Sequence, residues 1–354
     1  MSDLVADLLA GKHSALARVI TKIENRSPGY REIISDLHQH TGTADVIGVT
    51  GSPGAGKSTL VDKVAATYRK RGQTVGVIAI DPSSPFSGGA VLGDRIRMAS
   101  NAGDMDMFFR SMSARGSLGG LSTATTDAVT ALDAFGKDKI IVETVGAGQN
   151  EVDIVRTADT VAVLVPPGSG DDVQMLKAGI LEIGDVFVVN KADLDGADRT
   201  VQQLREMLQG RSGRPDTGHH GATGLAGGHG GASAGEGDAS AGEGDAESET
   251  WNPPIVETVA NRSEGVEDFL DALANHGAYL DRTGRREGQA RERFAAEIRT
   301  LLREDANELL VDELDRRGGI EGYVDAVIDR HTDPYTVVDE VLSPLRECLD
   351  ERRD

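Results

Sequence analysis

Cysteine is almost missing from this chain. Cys348 stands alone, which excludes an internal disulfide and any metal site built on a cysteine pair. No window approaches the run of about eighteen apolar residues that a membrane-crossing helix needs. The opening residues, MSDLVADLLAGKHSALARVI, begin with acids and lack the basic stretch of a signal peptide. A cytoplasmic protein with no membrane contact is expected. Positive charge is also short: 37 Lys and Arg, only nine of them lysines, face 58 Asp and Glu for a net charge of −21. That balance disfavours nucleic acid and anionic membranes, both of which call for basic patches. With aromatics at 4%, the acidic excess and the few lysines fit a high-salt cytoplasm, a matter of habitat rather than of function.

The 354 residues allow one large α/β domain with helical extensions, or two domains. Residues 3–40 carry Leu4, Leu8, Leu9, Leu16, Val19, Ile20 and Ile23 at helical spacing, with a break near Ser27-Pro28-Gly29. Short apolar, β-branched runs follow: ADVIGVT (44–50), TVGVIAI (74–80), KIIVET (139–144), TVAVLV (160–165) and DVFVVN (185–190). Helical patterns separate them, notably at 57–70, 121–135 and 195–208. Such alternation predicts an α/β fold with a mainly parallel sheet covered on both faces. Between about Gly210 and Thr250 the composition changes. ASAGEGD occurs twice in succession and Leu225 is the only large aliphatic, so a disordered low-complexity insertion is expected. PPIVETVA (253–260) resumes the strand pattern, a helix follows at 265–280, and the tail from 286 to 352 is helix-rich. The organisation expected is an N-terminal helical segment (1–43), an α/β core (44–209 and 251–282) divided by the insertion (210–250), and a C-terminal helical arm (283–354).

The chemistry begins at VTGSPGAGKSTLVDK (49–63). Gly51, four residues, then Gly56, Lys57 and Ser58 form a phosphate-loop pattern, and it lies between a predicted strand and a predicted helix as that motif requires. The loop Gly51, Ser52, Pro53, Gly54, Ala55, Gly56, Lys57, Ser58 and Thr59 would turn backbone N–H groups toward phosphate oxygens at a helix N-terminus. Lys57 would reach the β- and γ-phosphates and the Ser58 hydroxyl would ligate Mg²⁺. Mg²⁺ needs only one or two carboxylates beside the phosphates. Asp81 and Glu143, each closing an apolar strand, are the candidates. ETVGAGQ (143–149) has the layout of a γ-phosphate sensor, with Gly146 offering its N–H.

VVNKAD (188–193) closes another strand and supplies Asn190, Lys191 and Asp193. A carboxylate only accepts hydrogen bonds. Guanine presents N1–H and its 2-amino group as adjacent donors, whereas adenine would leave Asp193 unpaired, so the pattern indicates GTP and GDP.

Together GSPGAGKST, AIDPSSPFSGGAVLGDRIRM, ETVGAGQNEVD, PPGSGDDVQMLKAGILEIGDVFVVNKAD and ALARVITKIENR resemble the MeaB/ArgK family. These are P-loop GTPases associated with methylmalonyl-CoA mutase, formerly described as lysine/arginine/ornithine transport kinases. The similarity spans roughly 10–208 and 253 to the end. It implies a P-loop NTPase fold with a C-terminal helical arm that makes a homodimer. It adds Asp94 to Asp81, Glu143 and Ser58 around Mg²⁺. It places the backbone of Thr258, Val259 and Ala260 over the base, with Val259 where serine is more usual. It also implies a mobile loop at 166–177 that relays nucleotide state, and a chaperone role that gates adenosylcobalamin delivery to the mutase and protects it. Catalysis would fall to Lys57 and Glu143, with Gln149 as candidate to position the attacking water. Two rival readings use the same loop: a nucleotide-dependent kinase or ATPase of a transport system, and a metal-insertion GTPase. His219, His220 and His229 invite the second, but they are few, glycine-separated and without a cysteine pair.

Overall fold

The computed structural model describes residues 3–81, 104, 106–113, 123–144, 154–168, 180–210 and 249–351. It divides into two compact units, Met1–Arg293 and Phe294–Asp354. The first unit is built on a seven-stranded sheet of order β3-β2-β4-β1-β5-β6-β7. Its strands are β1 (Asp45–Gly51), β2 (Val75–Asp81), β3 (Met107–Ser113), β4 (Lys139–Glu143), β5 (Thr160–Val165), β6 (Val186–Asn190) and β7 (Ile255–Thr258). Every neighbouring pair runs parallel.

Side-chain alternation along the strands builds two apolar layers. One layer takes Val46, Val142, Val163 and Phe187 against the helices α1 (Asp3–Leu9), α2 (His13–Glu24), α3 (Tyr30–His38), α5 (Thr123–Ala134) and α7 (Ala197–Gln209). The other takes Ile47, Val49, Ile141, Leu164 and Val188 against α4 (Lys57–Lys70) and α8 (Val266–Thr283). A short helix, α6 (Ile180–Ile183), leads into β6. Burying each such Val, Leu, Ile or Phe contributes about 1.5–3 kcal/mol.

The N-terminal helical pattern divides twice. The expected break appears at Gly29 (φ +81), and another falls at Gly11 (φ +78), whose N–H closes onto the Leu8 carbonyl at 2.8 Å. The segment is tied to the sheet layer by Asp133, whose carboxylate accepts the N–H groups of Gly42, Thr43 and Ala44 at 2.6–3.2 Å. Where the chain re-enters at Trp251, the indole donates to the Asp185 carbonyl at 2.8 Å. Its ring packs on His276 and Tyr279 of α8, with centroids 4.8 and 5.2 Å away. The edge strand β3 was not anticipated. MFFRSMS has no β-branched residue, and its first four side chains are only half-buried, with Arg110 held by Glu24 of α2.

Among the described residues, α9 (Arg285–Arg316), α10 (Glu321–Ile328) and α11 (Pro334–Glu351) make up the helical tail. No helix there or elsewhere among them is long and apolar enough to cross a membrane.

Candidate functional site

In an open parallel sheet, ligands gather at the carboxyl ends of the strands where strand order reverses. Here that place is the end of β1, which lies between β4 and β5. The loop from Ser52 to Gly56 leaves β1 there and leads into α4. Gly51 and Gly56 hold φ of +132° and +90°. A Cβ at Gly51 would be driven into the Leu164 carbonyl, and one at Gly56 into the Asn190 amide. Only glycine permits both the conformation and the close approach.

Lys57 is buried at 6% exposure. Its ammonium folds back over the loop and donates to the carbonyls of Gly51 at 2.7 Å and Ser52 at 3.0 Å. The Ser58 hydroxyl donates to Glu143 Oε1 at 2.5 Å. Glu143 is buried at the end of β4. Its neighbour Thr144 fastens β4 to β1, through N–H to the Val49 carbonyl at 3.0 Å and hydroxyl to Thr50 Oγ1 at 2.9 Å. Two hard oxygen donors thus meet beside the loop, a set that suits Mg²⁺. Asp81 ends β2, with its backbone alone described. Asp94, Gly146, Gln149 and most of the 166–177 loop lie outside the described residues.

Across the loop stands the end of β6. Asn190 is 2% exposed and makes three bonds. Its Nδ2 donates to the Ala55 carbonyl at 2.8 Å. Its Oδ1 accepts from the Thr258 hydroxyl at 3.0 Å and from the Ala260 N–H at 3.2 Å. One side-chain amide therefore joins the phosphate loop, β6 and the segment after β7. Lys191, with φ +63°, donates from Nζ to the Gly54 carbonyl at 2.9 Å. A positive φ is uncommon for a residue with a Cβ, and here it lays the side chain across the loop. Asp193 follows, two residues on. Val259 is buried, and its N–H donates to the Glu264 carbonyl at 3.0 Å, closing a tight loop.

The structure therefore brings together Gly51 through Thr59, Glu143, Asn190, Lys191, Thr258 and Ala260. Two features escaped the sequence reading. Thr258 contributes its hydroxyl as well as its backbone, and Arg262 pairs with Asp193 at 3.2 Å. The only sequence signal for the second is a basic residue four positions beyond Thr258 in TVANR. Chemically, a buried ammonium beside a glycine-bearing loop at a helix N-terminus can bind phosphate, the Ser58 and Glu143 oxygens can bind a hard cation, and a carboxylate beyond Asn190 and Lys191 can accept from a purine with adjacent donors.

A family model described as "Methylmalonyl Co-A mutase-associated GTPase MeaB" matches residues 16–315. A protein of Pyrococcus abyssi named as a GTPase is 42% identical over 348 residues, 98% of this chain and 97% of its own. The mouse protein named "Methylmalonic aciduria type A homolog, mitochondrial" is 34% identical over 284 residues, 76% of this chain and 61% of its own. Among solved structures, one titled as a LAO/AO transport system kinase superposes with a TM-score of 0.64 at 20% identity, covering 97% of each chain; at that identity it speaks for the fold alone. With its P-loop sheet and a match over most of its length, this chain belongs to the MeaB family of GTPases.

Proposed function

We propose that this GTPase serves an adenosylcobalamin-dependent methylmalonyl-CoA mutase, gating delivery of the cofactor to the mutase and protecting that enzyme from inactivation. The observation that carries the reading is the family match over 16–315, whose description names the mutase association. The name of the mouse relative points the same way.

In the site as proposed, Asp193 accepts N1–H and the 2-amino group of guanine, while Asn190 and Ala260 frame the purine edge. The stem of Lys191 covers the ring and its head secures the loop. Lys57 and the loop amides hold the β- and γ-phosphates and offset charge that builds as water attacks in line. Ser58 and Glu143, with Asp81 and Asp94, would hold Mg²⁺, which supplies charge neutralisation between the phosphates. Gly146 would sense the γ-phosphate, Gln149 would position water, and 166–177 would relay the state of the nucleotide.

The helical arm supports a homodimer. Phe294, Ile298, Leu302 and Leu309 are each at least 46% exposed, and their spacing puts them on one face of α9. A second copy of the chain would cover it. A cytoplasmic setting completes the reading.

The test is co-purification from native lysate with a non-hydrolysable GTP analogue and without it. Recovery of a cobalamin-dependent mutase, changed in amount by the analogue, is expected. Loss of the mutase from both samples, with GTP hydrolysis intact, would leave the GTPase and remove the partner. A transport kinase would instead leave labelled phosphate on a protein rather than free in solution.

A further inference from the structure

The Asp193 carboxylate is already engaged. Arg262 Nη2 lies 3.2 Å from Asp193 Oδ2. From this geometry we propose that Arg262 is an affinity-determining residue of the base site: its guanidinium competes with guanine for Asp193 and swings aside before the base can take both oxygens. The proposal rests on Asp193 as the guanine reader.

The backbone beneath Arg262 is fixed. Ala260 N–H is bound to Asn190 Oδ1 at 3.2 Å, and Ala192 N–H to the Thr258 carbonyl at 3.0 Å. Val259 and Glu264 form an antiparallel bridge, and Arg262 N–H closes onto the Val259 carbonyl at 2.9 Å. Gly265 (φ +72°) completes the loop, because a Cβ there would run into the Glu257 carbonyl. The loop cannot move away without breaking the Asn190 bonds. The side chain can: Arg262 is 57% exposed at its side chain against 28% for Asp193, so the guanidinium has water to rotate into.

Arginine and the donor edge of guanine compete for one carboxylate. Both the guanidinium and the N1–H/2-amino pair of guanine offer only donors to the carboxylate, so each seeks the same acceptor. Binding guanine through both Asp193 oxygens therefore requires the ion pair to open. A pair this exposed is weak. It would hold the carboxylate in about half to four-fifths of molecules, which lowers apparent affinity about two- to fivefold.

The experiment compares GDP binding to the full chain, freed of nucleotide, by calorimetry and stopped-flow for wild type, R262Q, R262K, D193N and the double variant D193N/R262Q. The expected result is two- to fivefold tighter binding to R262Q, carried by a faster association rate, because the pair forms only where the base is not. R262K should return toward wild type. The ratio between wild type and R262Q should shrink toward one between about 0.1 and 1 M salt, as the screening length falls from about 10 to 3 Å. In the D193N background R262Q should change nothing. Should D193N weaken GDP while R262Q binds no tighter at low salt, competition is overturned and the base reading survives. Should D193N bind GDP as well as wild type, the base reading fails and takes the proposal with it.

Discussion

Replacing Asn190 by alanine removes one side chain and unfastens three segments at once. The amide is 2% exposed and carries bonds to the Ala55 carbonyl, the Thr258 hydroxyl and the Ala260 N–H. Each such bond contributes about 0.5–1.5 kcal/mol net, and partners left buried and unpaired cost at least as much. The expected loss is therefore about 2–4 kcal/mol. For a unit of this size that corresponds to a fall in Tm of about 4–12 °C. Thr258→Val, which removes one donor at nearly constant volume, should cost about 1 kcal/mol. The second readout separates a structural amide from a simple base contact. Because Asn190 holds the Ala55 carbonyl, its loss should also weaken binding of magnesium pyrophosphate, which has no base to recognise. Thermal melts by circular dichroism and calorimetric titration with pyrophosphate measure the two effects. An Asn190→Ala protein that melts within about 1 °C of wild type and binds pyrophosphate normally would refute the stapling role.

Other perturbations follow from the same geometry. Lys57→Ala removes the buried ammonium from the loop and should lower GTP turnover by about 10²–10³-fold; unchanged phosphate release would contradict the assignment. Glu143→Gln keeps an acceptor for the Ser58 hydroxyl but removes the charge. The magnesium concentration for half-maximal turnover should rise about tenfold or more, and an unaltered magnesium dependence would exclude Glu143 from the metal site. His13 is held below its ordinary pKa by burial, then by Lys137, with Asp106 opposing. The native imidazole takes up a proton less readily than the unfolded one. Its contribution is therefore whole above about pH 6.5 and is lost as pH falls through the lowered native value. His13→Gln should flatten the acid limb of the Tm–pH curve, and an unchanged limb would show that His13 takes no part.

The parts of this fold that could be read from sequence are those where one physical demand dominates. Strands buried on both faces must be apolar throughout, so TVAVLV and DVFVVN declare themselves, and β5 and β6 fall at Thr160–Val165 and Val186–Asn190. The edge strand β3 meets a weaker demand, and Met107–Ser113 passed unnoticed because half-exposed Phe and Arg side chains satisfy it. The break at Gly11 was hidden for a similar reason: leucines on both sides keep helical spacing while the backbone turns. At the site, glycine spacing and the acid closing β4 located the loop after β1 and the Glu143 that meets Ser58, since each residue leaves its mark in its own local pattern. The Arg262–Asp193 pair and the Thr258 hydroxyl arise from β6 and β7 lying side by side, and no local pattern encodes that adjacency.

The central claim is that Lys57 and Asp193 hold opposite ends of one guanine nucleotide. Calorimetric titration of the magnesium-saturated protein with GTP and with ATP measures it directly. The account predicts that GTP binds and that ATP is weaker by at least about 10²-fold; equal affinity for the two, or no binding of either, would contradict it.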